Sequence, residues 1–181
     1  FPYTTLFRSV TADITKYSLN QLRMNALALI KSRLRELARK LSFYIEYKDA
    51  PGDLQKKIRD LSVRLGECSH EITEKYNKEL FRQYVHLLIA SLPAEEKVEE
   101  ETGLRLTSKK GSYTHSLHLI EDLKFLAKNI REMRSASIAE NDIRNIVRMV
   151  QSFGFHLARL DVRNNSGFFE KALSQLIFST G

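Results

Sequence analysis

Cysteine is almost absent from this 181-residue chain: Cys68 stands alone, so no intramolecular disulfide and no thiolate metal site can be built from it. An inert, structural role is expected for it. Long apolar runs are missing too. The longest, around residues 85–92, is interrupted by His86 and Ser91 and falls far short of the roughly 20 apolar residues that a membrane-spanning helix needs. No signal peptide is readable. With the single thiol, this leads to the expectation of a cytoplasmic protein with no membrane partner. Proline occurs three times and glycine seven times, so Pro51-Gly52, Gly66 and Pro93 read as punctuation between helices.

Motifs are equally sparse. The histidines are His70, His86, His115, His118 and His156. The i,i+3 pair His115 and His118 could place two ligands on one helical face, but there is no His-Glu-x-x-His pattern and no third ligand, so exposed helix histidines are the better reading. A Gly-x-Ser-x-Gly elbow and a nucleotide fingerprint are absent. Lys109-Lys110-Gly111-Ser112 lacks the Gly-x-x-x-x-Gly-Lys spacing of a phosphate loop. No repeat of fixed period is found.

What is present is the balance of a globular protein. The chain is 43% hydrophobic and 28% charged, enough apolar residues for one core. Its formal charge of +7 raises the question of nucleic acid, but Lys31, Arg33, Arg35, Arg39 and Lys40 punctuate an apolar-periodic run, as a solvated helix face would. No nucleic-acid partner is expected.

Periodicity predicts a mainly α chain. Leu19, Leu22, Ala26, Ile30, Leu34, Leu37 and Leu41 recur at three and four, giving a long helix over 11–47. Asp53 is placed to cap a second, whose stripe Leu54, Ile58, Leu61 and Leu65 stops at Gly66. A third is predicted from about 69–71 to Pro93, with Tyr76, Leu80, Phe81, Val85, Leu88 and Leu92 inward. Residues 93–112, rich in Glu and then Lys, read as a mobile charged connection. Helices over 113–134, with Leu117, Ile120, Leu123, Leu126 and Ile130 inward, and over 135–151, with Ile143, Ile146, Val147 and Val150 inward, follow.

The most informative stretch is 153–166, Phe-Gly-Phe-His-Leu-Ala-Arg-Leu-Asp-Val-Arg-Asn-Asn-Ser. Gly154 is suited to end a helix and Ser166 to cap the next, whose apolar side carries Phe169, Ala172, Leu173 and Leu176. Between them one strand alternates, with Leu157, Arg159, Asp161 and Arg163 on one face and Ala158, Leu160 and Val162 on the other. A face of Arg-x-Asp-x-Arg needs water, mutual pairing or an anion. A strand of an α/β barrel with an arginine at its C-terminal rim fits best.

These residues resemble phosphoenolpyruvate carboxylase, in which F-G-x-x-L-x-R-L-D-[IV]-R is followed by a polar pair, a serine and an amphipathic helix. Residues 117–150 also resemble the helix pair that precedes this strand in the family. One departure is Asn164-Asn165, where the family usually has Gln-Glu or Gln-Asn. The resemblance implies a mainly α region leading into one strand of a (β/α) barrel. It also implies an enzyme that joins phosphoenolpyruvate and bicarbonate to give oxaloacetate and phosphate, and so feeds carbon into the tricarboxylic acid cycle. Mg2+ or Mn2+ is the implied cofactor and a homotetramer the implied assembly. By the same resemblance Arg163 contacts the substrate phosphate, with Arg159 and Asp161 in support. The catalytic histidine, in a Thr-Ala-His-Pro-Thr motif, and the acidic metal ligands match nothing in this chain.

Residues 1–9 look like one reading frame of a sequencing-library adapter and are set aside as non-native. Residues 10–181 are then expected to be a single partial domain of a larger enzyme, inactive alone. The rival reading is a free-standing helical module whose basic first helix binds an anionic partner.

Overall fold

The computed structural model describes residues 16–93, 111–133 and 137–156. Residues 1–9, most of the 93–112 connection, and the strand and last helix expected after Gly154 lie outside them. The described part is all helix and turn: α1 (Lys16–Lys40), α2 (Gly52–Leu65), α3 (His70–Lys75), α4 (Leu80–Ala90), α5 (Ser116–Glu132) and α6 (Ser137–Phe153). No strand occurs among the described residues.

In α1, Ala26, Leu27, Ile30, Leu34, Leu37 and Ala38 form the buried stripe. Arg33, Arg35, Arg39 and Lys40 stay exposed and Lys31 is half-buried. Arg39 and Lys40 close the last turn, where cations complement the carbonyl end of the helix dipole. The helix ends at Lys40, seven residues before the predicted end at Tyr47. Ser42, Phe43, Tyr44 and Ile45 are poor helix formers, and the half-buried Phe43 and the buried Ile45 each have a better use. Phe43 packs its ring 5.3 Å from that of Phe81, and the Ile45 N–H donates to the Lys78 carbonyl at 3.0 Å.

α2 buries Leu54, Ile58, Leu61 and Leu65 and stops at Gly66, whose φ is 60°. Pro51 holds the N-cap position, while Asp53, predicted as the cap, lies in the first turn. The predicted third helix is in fact two. Glu79 N–H returns to the Tyr76 carbonyl at 3.0 Å, and the buried Gln83 amide donates to the Thr73 carbonyl at 3.0 Å, so a side chain supplies what a continuous helix would have bonded internally. Tyr76 turns its ring onto His86, with centroids 4.3 Å apart. Cys68, expected to be structural, is exposed in the turn between α2 and α3.

Helix α4 is apolar nearly all round, with Leu80, Phe81, Tyr84, Val85, Leu87 and Leu88 buried, because it packs against α1, α2, α3 and α5. A helix without a polar face belongs at the centre of a bundle. α5 starts at Ser116, three residues later than predicted. Tyr113 is buried ahead of it, its N–H on the Ser91 carbonyl at 2.7 Å. Leu117, read as inward, is 65% exposed, whereas Leu119, Ile120, Leu123, Leu126 and Ile130 face the core. α6 packs on α5 and α1 through Ile143, Ile146 and Val150, with Val147 half-buried. Buried apolar residues from each of α1, α2, α4, α5 and α6 join in one cluster, in which truncating a fully buried leucine such as Leu34 to alanine costs about 2–5 kcal/mol.

Candidate functional site

The described residues build the approach to the 153–166 motif. α6 is pinned to the core by Ile146 and Val150, and Gly154 then ends it with φ 57°, its N–H on the Val150 carbonyl at 2.8 Å. A Cβ at Gly154 would meet nothing closer than Ser116 Oγ at 3.6 Å, so the requirement for glycine is the backbone angle and not crowding. Phe155 returns into the core at 3% exposure. With Phe155 buried and His156 exposed, the direction in which the chain leaves the bundle is fixed at its root. Arg159, Asp161 and Arg163, the predicted phosphate contact and its supports, lie outside the described residues.

Beside this root stands Arg23. Its Nε is buried without a hydrogen-bond partner, burial draws its pKa down, and burial together with the Arg23 charge lowers that of His156. α5 and α6 are tied by Glu140, which accepts from Arg131 and, at 3.5 Å, from Arg144; hydrogen bonding from Arg131 holds its carboxyl below the usual range. α1 and α6 are tied by Lys40 and Asp142 at 2.6 Å.

A buried polar network escaped the sequence reading. Asp122 accepts the Tyr113 hydroxyl at 2.6 Å on Oδ2 and pairs with Lys57 Nζ at 2.8 Å on Oδ1. Tyr84 donates its hydroxyl to the Asp122 carbonyl at 3.2 Å. Burial, then the Asp122 charge, pushes both tyrosine hydroxyls far above their ordinary pKa, so they remain donors. The signal was available: Asp122 lies between Ile120 and Leu123 on the inward face of a helix, where an acid needs a partner.

Among the described residues no group of three His, Cys, Asp or Glu side chains converges as a metal site would require. His115 and His118 are exposed and sit edge to face at 5.9 Å. His86 is half-buried, its pKa lowered by burial and then by the nearby Arg82 charge. A groove of about 300 Å3 between α1 and α6 is lined by Arg33, Glu36, Leu37, Asp142, Asn145, Ile146 and Met149. Arg33 in it is engaged by Glu36 at 3.2 Å and Asp142 by Lys40, so the groove offers no uncommitted cation to a phosphate. The rival reading, an anion-binding first helix, gains no support from this groove.

The architecture is that of a helical region whose last described helix runs into the 153–166 stretch, with no metal-binding cluster among its described residues. The family model described as phosphoenolpyruvate carboxylase matches residues 8–181, and the chain belongs to that family. Curated relatives include the phosphoenolpyruvate carboxylase of Bradyrhizobium diazoefficiens, 28% identical over 93% of this chain and 17% of the relative. That of Roseiflexus castenholzii is 23% identical over 96% of this chain and 19% of the relative. That of Nitrosomonas europaea is 36% identical over a shorter span, 35% of this chain. The chain thus spans less than a fifth of the length of the relatives it matches. No solved structure matches it significantly.

Proposed function

We propose that the chain is part of an enzyme that carboxylates phosphoenolpyruvate with bicarbonate, giving oxaloacetate and inorganic phosphate. One observation carries this: the family match spans residues 8–181 and so takes in the whole of the 153–166 motif. In this reading residues 157–163 form one barrel strand, and residues 10–181 are a partial domain that leads into the barrel. Arg163 stands at the strand's C-terminal end and presents the paired N–H groups of its guanidinium to the substrate phosphate. Its charge persists while the phosphoryl group passes to bicarbonate, forming carboxyphosphate and an enolate; carboxyphosphate then splits into inorganic phosphate and carbon dioxide, and the enolate takes up that carbon dioxide to give oxaloacetate. Arg159 and Asp161 share the face of Arg163 and orient it. The parent protein works in the cytoplasm as a homo-oligomer.

The described residues do not fit a divalent metal, since no acidic or histidine cluster converges there. The ligands of Mg2+ or Mn2+ belong to other parts of the parent. The chain on its own is therefore inactive.

Arg163 is the test, in the parent protein. Loss of one partner of a charged, hydrogen-bonded contact costs about 2–5 kcal/mol, so Arg163→Ala lowers kcat/KM for phosphoenolpyruvate roughly 30-fold or more, with Arg163→Lys between. The melting temperature stays near that of the unaltered protein, because a cation taken from an anion site relieves repulsion as much as it removes contacts. A destabilised but normally active Arg163→Ala would remove this residue from the site.

A further inference from the structure

Two large apolar side chains stand exposed at one end of the α5–α6 pair. Leu117, in the first turn of α5, is 65% exposed, and Phe153, the last residue of α6, is 46% exposed. They belong to one place: a Cβ on Gly154, next to Phe153, would lie 3.6 Å from the Oγ of Ser116, next to Leu117. His115 and His118 flank Ser116 and Leu117 in the chain, exposed and edge to face at 5.9 Å. What sets this end apart is its lack of charged side chains. Neither 111–120 nor 149–156 contains an Asp, Glu, Lys or Arg, in a chain that is 28% charged. The opposite end of the same pair carries Arg131, Glu132, Glu140 and Arg144, with Glu140 paired to both arginines. Apolar residues exposed elsewhere have charged company. The Tyr44 hydroxyl meets Glu46 and that of Tyr47 meets Arg59, while Val63 stands among the exposed Arg59, Asp60 and Arg64 of α2. An exposed surface that is apolar and aromatic and depleted of charge is built like the centre of an interface.

We infer that Leu117 and Phe153 form a docking surface that is covered, in the parent protein, by an apolar and uncharged face of the barrel, contributed by parts of the polypeptide outside this chain. Two facts single out this occupant. The chain spans less than a fifth of the relatives it matches, so most of such a protein is available to pack on it. The chain also leaves the bundle at this end, since Phe155 is buried and His156 exposed, so the barrel begins beside Phe153. Charge complementarity agrees, because a surface without acids or bases would strand any charge buried against it. The barrel as occupant rests on the carboxylase reading, whereas the exposed surface does not.

The experiment places the photo-crosslinking residue p-benzoylphenylalanine at position 117, and separately at position 153, of the parent protein and maps the products by mass spectrometry. Expected from both positions is a crosslink within one polypeptide to an apolar segment outside residues 10–181. The replacement at 153 keeps a phenyl ring, and either position alone decides the matter should the other variant fail to fold. Products confined to residues 10–181, a product of doubled mass that marks a second copy, or no product at all overturns the proposal. Carboxylation of phosphoenolpyruvate by the unaltered parent is measured alongside. Its absence refutes the carboxylase reading and leaves the crosslinks to decide the docking surface on their own.

Discussion

Asp122 is the residue whose removal the structure says should be felt most among the polar groups. Its side chain is 6% exposed and its Lys57 partner 40%, while the Tyr113 hydroxyl that it accepts is buried. Asp122→Ala strands that hydroxyl, which costs about 1–3 kcal/mol. Loss of the ion pair adds less than the roughly 3–5 kcal/mol seen when both charges are buried, because Lys57 can turn towards water. The net expectation is a loss of about 2–3 kcal/mol, or roughly 4–12 °C in melting temperature. Tyr113→Phe leaves the carboxylate its lysine and should cost less, and Lys57→Met least. Urea unfolding followed by far-ultraviolet circular dichroism reads all three. Equal effects of Lys57→Met and Asp122→Ala, or an Asp122→Ala loss below about 0.5 kcal/mol, would refute the view that the tyrosine and not the lysine carries the network.

Gly154→Ala should cost about 1 kcal/mol, since φ is 57° and only glycine takes that region freely, with Gly154→Asn milder; equal melting temperatures for all three would contradict the helix-stop assignment. Acidification should destabilise the fold through His86. Its pKa is lowered in the folded protein, so the unfolded chain takes up the proton first as pH falls through about 6.5, and stability drops from there until the folded group also titrates. His86→Phe keeps a ring against Tyr76 and should flatten that part of the stability profile between pH 7 and 5; an unchanged profile would remove His86 as its source.

Helix existence was legible because a single stripe at three-and-four spacing has no other use: Ile30, Leu34 and Leu37, or Leu54, Ile58 and Leu61, are all buried as their spacing required. Helix ends marked by glycine were legible too, at Gly66 and Gly154. What failed were boundaries decided by tertiary contacts. The break between α3 and α4 contains neither glycine nor proline and is set by the Gln83 amide reaching Thr73, a contact no local pattern announces. The early end of α1 has the same origin in the Ile45–Lys78 bond. Leu117 misled because it stands a turn too early, on the exposed side of α5. Of the site, the glycine stop at Gly154 and the buried Phe155 were recoverable from the described residues, whereas the roles of Arg159, Asp161 and Arg163 rest on the motif and its family.

The order of the helices along the chain imposes a schedule on biosynthesis. α1 packs against α4 and α6, and its Lys40 finds Asp142 only 102 residues later. At about 5–20 residues per second of translation, the side of α1 that awaits α6 stays uncovered for roughly 5–20 s after it leaves the ribosome. Throughout that interval Leu37, which lines the α1–α6 groove with Ile146 and Met149, is available to any other apolar surface, so the nascent α1 is a segment that benefits from a chaperone.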